Sequence, residues 1–302
     1  MSPDEYLQGI LKNQELAEDS PERRKLRATR RDVETLLRAS FEEANPTIRY
    51  GGSAAKGTMI RECYDLDVIC YFAHDDSSAG DTLEEVYRNV RDALSAKYFV
   101  EEKTSALRLK GKSEEQKEVD FHVDVVPGRF TDKGRNDVFL YQSSGEKKRL
   151  KTNPEKHIEL IRDSGLTDAI KLVKLWKARK VIRVKTFVLE LLVIEILKQM
   201  KGVKSLSSQL TAFWEKLKDT GAKIPIQDPA NPSGNDLSAI FNAGVQADLS
   251  VVGGSSLDLM QRSGWESVFG PLEEAGQAEK AAIVTQASRS GSVKTKPWGE
   301  SL

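Results

Sequence analysis

The rhythm of apolar and polar positions divides the chain into two unlike halves. In the first, helical and strand-like runs are mixed. Residues 4–43 read as helical, and Leu83, Val86, Tyr87, Val90 and Leu94 recur at helical spacing. Between and after them lie short strand-like runs at 47–50, 66–72, 98–102, 106–110 and 119–126. Gly51-Gly52-Ser53 follows the first run, a polar loop at 74–81 follows the second, and a turn at 111–116 precedes the last, which Pro127-Gly128 should end. From Asn153 onward the period is helical. Leu166, Ala169, Ile170, Val173 and Trp176 form one stripe, and residues 187–197 are apolar nearly all round, as a buried central helix would be. A further helix is expected at 207–218, a Pro/Gly/Asn-rich loop at 225–236, and helical stretches near 237–250 and 255–287. The pattern predicts an α+β protein. Residues 1–150 should form a sheet-and-helix lobe with an N-terminal helix, residues 151–285 a helical lobe, and residues 286–302 a loose tail without apolar periodicity.

Composition narrows the function. The 302 residues are 39% hydrophobic and 30% charged, enough for a sizeable core. Lys plus Arg and Asp plus Glu both number 46, so the chain lacks the basic excess that binding to long nucleic acid usually needs. Six basic residues between Arg23 and Arg31 sit among acidic ones and read as a solvated helix face. Two cysteines and three histidines are too few and too scattered for a zinc module. The opening MSPDEYLQGI has no signal-peptide pattern, and the most apolar stretch is interrupted by Glu190 and Glu195 and too short to span a bilayer. A cytoplasmic protein with reduced thiols and no membrane partner is expected.

The chemistry concentrates in a few carboxylates. Asp65 and Asp67 stand two apart at the entrance to the 66–72 strand, so their side chains share a face. Like charges so placed are costly unless a cation lies between them. On the 119–126 strand, Asp120, His122 and Asp124 share one face and Val119, Phe121, Val123 and Val125 the other. Either aspartate can supply a third carboxylate if the two strands are neighbours. Three such groups suit a pair of Mg²⁺ ions about 3.5–4 Å apart, as used in in-line phosphoryl transfer. An Asp-x-Asp pair alone is a weak signal and by itself reads better as a strand cap with a lysine partner. Gly51-Gly52-Ser53 lies 12 residues before Asp65 and opens a helix. Glycine lets backbone N–H groups approach a phosphate, and the serine hydroxyl adds a donor; the same residues also suit an ordinary cap. Seven basic residues and no acid lie between Lys171 and Lys185. Lys171, Lys174 and Lys177 fall near one helix face, either solvated or a wall for a triphosphate.

Taken together, GGSAAKGTMIRECYDLDVICYF and HVDVVPGRF resemble the DNA polymerase β-like nucleotidyltransferase superfamily. The resemblance implies that Asp65, Asp67 and Asp124 bind the metal ions and carry catalysis. Asp124 is chosen over Asp120 because the family's third aspartate precedes a run like Val125-Val126-Pro127. Gly52 and Ser53 take the phosphate-gripping role. AIKLVKLWKARKVIRVKTFVLELLVIEIL and DPANPSGND resemble segments of 2′-5′-oligoadenylate synthases and their bacterial relatives, the CD-NTases. NPEKHIELI and WESVFG resemble the bacterial group, and the likeness covers most of residues 46–272. It places Lys174 at a triphosphate-contacting position and Phe187 where relatives often carry a base-stacking tyrosine. Phe187 reads equally well as the first core residue of its helix. The chain lacks the Cys/His set of the animal cyclic GMP-AMP synthases, and its zero net charge argues against the double-stranded-RNA face of oligoadenylate synthases. The bacterial class fits best. It implies an enzyme that uses two Mg²⁺ ions, with Mn²⁺ able to substitute, to join ribonucleoside triphosphates, ATP among them. The product would be a cyclic or short linear second messenger, read by a downstream effector in anti-phage signalling. The alternatives are an RNA-directed nucleotidyltransferase of CCA-adding or poly(A) type, or an inactive nucleotide-binding scaffold.

Overall fold

The computed structural model describes residues 1–112, 121–200 and 202–272. The expectations for Asp120, for most of the 111–116 turn and for the tail fall outside them.

Residues 4–43 are not one helix. α1 spans Pro3–Asn13 and α2 spans Pro21–Ser40. Ser20 caps α2 through the Arg23 N–H, and Pro21 at the first helical position holds Ser20 extended. Four elements match their expected ranges: β1 (Thr47–Tyr50), β2 (Leu66–Phe72), α4 (Leu83–Ser95) and β3 (Tyr98–Glu102). Between β1 and β2 lies the short α3 (Gly52–Lys56). β4 covers Leu107–Gly111 and β5 covers Val123–Phe130. Pro127-Gly128 therefore does not end β5. On one side β4 pairs only as far as Leu107 opposite Val125, and β6 (Val138–Tyr141) takes over at Arg129 opposite Phe139. Pro127 falls between the two ladders, where a missing N–H costs least. β6 and β7 (Arg149–Thr152) complete the sheet, whose central order is β1-β2-β5-β4-β3. Among the described strands only β2 and β5 pair in parallel; the other pairs are antiparallel.

The second half is helical: α5 (Pro154–Arg162), α6 (Thr167–Arg179), α7 (Thr186–Lys198), α8 (Leu206–Thr220), α9 (Ala243–Ser263) and α10 (Glu266–Phe269). Two helical stretches separated near residues 251–254 were expected; α9 runs through them. Gly253 and Gly254 are buried, and a Cβ on Gly253 would lie 3.2 Å from the Leu217 Cβ on α8. The glycines let α9 lie close on α8 rather than breaking the helix. Among the described residues, no helix is long and apolar enough to cross a membrane.

Strand alternation splits the apolar core. Leu66, Val68, Cys70 and Phe72 face one side of the sheet, joined by Val123 and Val125 and covered by α2 and α4. Ile69, Tyr71 and Val126 belong to a smaller cluster on the other face. The helical half has its own core around Trp176, Phe213 and Trp214. α1 belongs to that core although it is first in the chain: Tyr6, Leu7, Ile10 and Leu11 are buried there. The Tyr6 hydroxyl donates to the Gly270 carbonyl at 2.5 Å, and Asn13 donates to the Leu272 carbonyl at 2.5 Å.

Candidate active site

The alternation that buries one face of β2 and β5 presents the other to a cleft. Asp67 is in register with Asp124 across the parallel β2–β5 pair, on the same face as Ile69, Tyr71 and Val126. Asp65 stands just before β2, where the Leu66 N–H donates to the His122 carbonyl at 2.8 Å. The Nδ1 of His122 lies 3.6 Å from an Asp65 oxygen. The structure thus brings together the two neighbouring strand ends that carry Asp65, Asp67 and Asp124. Asp67 and Asp124 are buried, at 5% and 1% exposure.

Gly51 and Gly52 clamp onto this edge. The Gly51 N–H donates to the Asp67 carbonyl at 2.8 Å. Gly52 has φ +53°, and a Cβ there would lie 1.7 Å from Asp67 Oδ2. Only glycine leaves room for the Asp67 carboxylate under this turn. Ser53 follows inside α3, and its carbonyl accepts from the Thr58 N–H. Gly51, Gly52, Lys56 and Asp67 line the cleft together with Ile69, Tyr71 and Val126 of the sheet. Pro154, His157 and Ile158 of α5 form the facing wall.

Asp124 has a partner that sequence reading missed. Arg108 of β4 is in cross-strand register with Asp124, and its guanidinium grips both oxygens: Nε to Oδ1 at 2.9 Å and Nη2 to Oδ2 at 3.1 Å. The signal was present in Leu107-Arg108-Leu109, where the leucines face the core and the arginine must face the cleft. The all-oxygen donor set of Asp65 and Asp67, under a cradle that a Cβ would fill, fits a hard divalent cation. With Asp124 turned to Arg108, no three His, Cys, Asp or Glu side chains among the described residues are grouped to hold a metal ion.

The lysines separate by burial. Lys174 is 5% exposed, and its Nζ donates to the Thr58 carbonyl at 2.5 Å. Burial pushes its pKa down, opposed by the nearby Glu190. Lys171 pairs with Asp168, and Lys177 donates to the Thr186 hydroxyl. The lysine that lines the cleft is Lys56. Its Nζ donates to Glu190 at 2.6 Å, and Glu190 also accepts from the Thr58 hydroxyl at 3.3 Å. Glu190 is 2% exposed inside the apolar α7. A carboxylate in so apolar a helix signals a buried cationic partner, and the sequence reading passed over it.

Phe187, at the start of α7, is buried with Leu191 and Leu237. The His157 ring packs on it, with centroids 4.8 Å apart and planes at 31°, and Lys56 Nζ lies 5.6 Å from the Phe187 centroid. His157 is fixed in turn by Asp228, 2.7 Å from its Nε2. Burial alone would raise the Asp228 carboxyl. Hydrogen bonds from His157, Asn235 and the Ala230 N–H outweigh burial and hold its pKa below the usual range. The loop that resembled a family motif thus serves to orient a cleft histidine.

Neither a family model nor a curated protein sequence matches the chain. Solved structures do. E. coli MS115-1 CdnC with ATP superposes with a TM-score of 0.66 at 20% identity, covering 90% of this chain and 98% of that one. The CD-NTase CdnG of Bradyrhizobium diazoefficiens with GTP gives 0.66 at 13% identity, covering 95% and 98%. The cyclic dinucleotide synthase CdnE of Elizabethkingia meningoseptica with GTP and Apcpp gives 0.61 at 16% identity, covering 83% and 98%. The chain has the α+β fold of the CD-NTases over most of its length.

Proposed function

We propose that this protein is a metal-dependent nucleotidyltransferase that joins ribonucleoside triphosphates into a cyclic or short linear oligonucleotide. The observation that carries the reading is the Asp67–Asp124 pair, set in register on adjacent strands beside Gly52, where a Cβ would meet the Asp67 carboxylate. Structures of the same fold with ATP and GTP support nucleoside triphosphates as substrates. In this reading residues 1–150 form the catalytic lobe, apart from α1, which packs with the helical lobe of residues 151–285. The enzyme acts in the cytoplasm, and its product signals to a downstream effector in anti-phage defence.

Asp65, Asp67 and Asp124 would hold two Mg²⁺ ions, or Mn²⁺ in their place. When bound, such ions acidify an acceptor hydroxyl and neutralise a leaving pyrophosphate. The chain's own residues orient the donor. Gly52 and Ser53 present their backbone and hydroxyl donors to its phosphates, and Lys56 adds a cation from the cleft wall. Lys174 supports this grip from behind by fixing the Thr58 carbonyl. Phe187 and His157 form the aromatic pair nearest a base, with Asp228 locking the imidazole. Asp124 accepts the proton of the attacking hydroxyl.

The test is product formation. Purified protein incubated overnight with Mg²⁺ or Mn²⁺ and the four ribonucleoside triphosphates should release pyrophosphate and make a small oligonucleotide without primer. A cyclic product keeps its chromatographic mobility under phosphatase, and a linear one is trimmed. Primer-dependent extension of RNA with no short product would replace this reading with the RNA-directed alternative. No transfer at all, with nucleotide binding retained, would make the protein a scaffold.

A further inference from the structure

The geometry points to Arg108 as a positioning residue that serves as the resident counter-ion of Asp124 and competes with a metal ion for it. The inference rests on the nucleotidyltransferase reading of the carboxylates and adds a residue to it. Three observations carry it. First, the contact is bidentate: Nε and Nη2 each take one Asp124 oxygen, so the carboxylate has both oxygens engaged by one guanidinium. Second, the pair is buried, with side-chain exposures of 10% for Arg108 and 2% for Asp124. Third, Arg108 and Asp124 are direct cross-strand partners on β4 and β5, so the contact is fixed by register rather than by a flexible loop.

Electrostatics gives the pair a purpose. Asp124 and Asp67 lie in register on neighbouring strands, and two carboxylates at that spacing repel in a dry site. A fixed cation beside one of them offsets that repulsion and holds its carboxylate in one orientation before any metal arrives. The same cation must loosen its hold before Asp124 can lend an oxygen to a divalent ion. Arg108 therefore lowers the metal affinity of the nucleotide-free protein while holding the site in shape. Lysine at 108 would keep the charge but lose the planar fork, so its hold on the carboxylate would be weaker.

The experiment titrates Mn²⁺ into the full-length, metal-stripped protein without nucleotide and reads free Mn²⁺ by electron paramagnetic resonance. The variants are Arg108→Gln, Arg108→Lys, Asp67→Asn and Asp124→Asn, each with a thermal melt. Arg108→Gln should bind Mn²⁺ about tenfold more tightly than wild type, on the scale of one charge-assisted contact removed. Its melting temperature should fall without metal and recover more than wild type's when Mn²⁺ is added. Arg108→Lys should lie between the two, and it decides the matter if Arg108→Gln does not fold. Unchanged or weaker Mn²⁺ binding in the Arg108 variants, with binding lost in Asp67→Asn, would overturn the counter-ion role and leave the metal site standing. A purely structural arginine would lower the melting temperature without tightening Mn²⁺ binding. If Asp67→Asn and Asp124→Asn both bind Mn²⁺ like wild type, the metal-site reading fails first, and this inference with it.

Discussion

Gly52 is the residue on which the site turns. With φ +53° and Asp67 Oδ2 where a side chain would begin, alanine there has to move either the turn or the carboxylate. The left-handed backbone alone costs an alanine about 1–2 kcal/mol. Gly52→Ala should therefore lower the melting temperature modestly and cut pyrophosphate release at least as severely as Asp67→Asn. Near-normal activity in that variant would show that Asp67 tolerates displacement and is not a metal ligand. That Gly52, Asp67 and Asp124 stand beside one cleft follows from signals the sequence carried: a glycine turn and strand alternation, with the family resemblance choosing Asp124 over Asp120. Arg108, Lys56 and Glu190 were not read. Their roles depend on which elements become neighbours: β4 beside β5, and α3 against α7. Lys174 was assigned by resemblance, and neither that nor the period of its stripe could tell a lysine facing the cleft from one turned onto the Thr58 carbonyl.

At the scale of elements, the sequence was clearest where one face is buried and the other is not. α4 has a sharp helical period and appears at its expected limits, whereas β2, buried on both faces, was legible as an apolar, β-rich run. The misreadings came where glycine or proline is used for packing rather than punctuation. Pro127 sits inside β5, and Gly253-Gly254 sit inside α9. The two glycines differ in what they permit. A Cβ on Gly254 would meet only the flexible Lys218 side chain, at 3.4 Å, whereas one on Gly253 would crowd Leu217. Gly254→Ala should stabilise the protein by about 0.5–1 kcal/mol through the lower entropy of the unfolded chain. Gly253→Ala should forfeit that gain, because α9 must shift away from α8. Urea denaturation of the two variants side by side decides it, and equal gains would mean that the helices are less tightly fitted than their spacing implies. β6 and β7 were not read from the sequence. They are four residues each.

Across the whole molecule, the segment that joins the Gly-Ser turn to the Asp-x-Asp strand is held by the helical half. Lys56 and Thr58 meet Glu190 of α7, Lys174 of α6 meets Thr58, and Arg179 at the end of α6 pairs with Glu62. Glu62 also accepts from Gln14, next to α1. The shape of the cleft is therefore set by contacts outside the sheet. Glu190→Ala leaves buried cations without their carboxylate and should cost on the order of 3–5 kcal/mol. Replacing both partners, Lys56→Met with Glu190→Leu, should recover much of that stability while lowering nucleotide affinity, because the cleft lysine is gone. A double-mutant cycle on stability, run beside nucleotide binding, separates the two effects. Full recovery of both would remove Lys56 from the site.

The bond between Tyr6 and Gly270 spans 264 residues, and this sets an order for making the protein. A ribosome working at about 5–20 residues per second needs on the order of 10–50 s to carry the chain from one partner to the other. Every described strand of the sheet has been synthesised by residue 152, well before that interval ends. α1 is thus made long before its last partner and is among the last of these elements to be seated. Until the helices it packs on emerge, Tyr6, Leu7, Ile10 and Leu11 have no lasting place to bury themselves, so the helical core cannot close until most of the chain has been made.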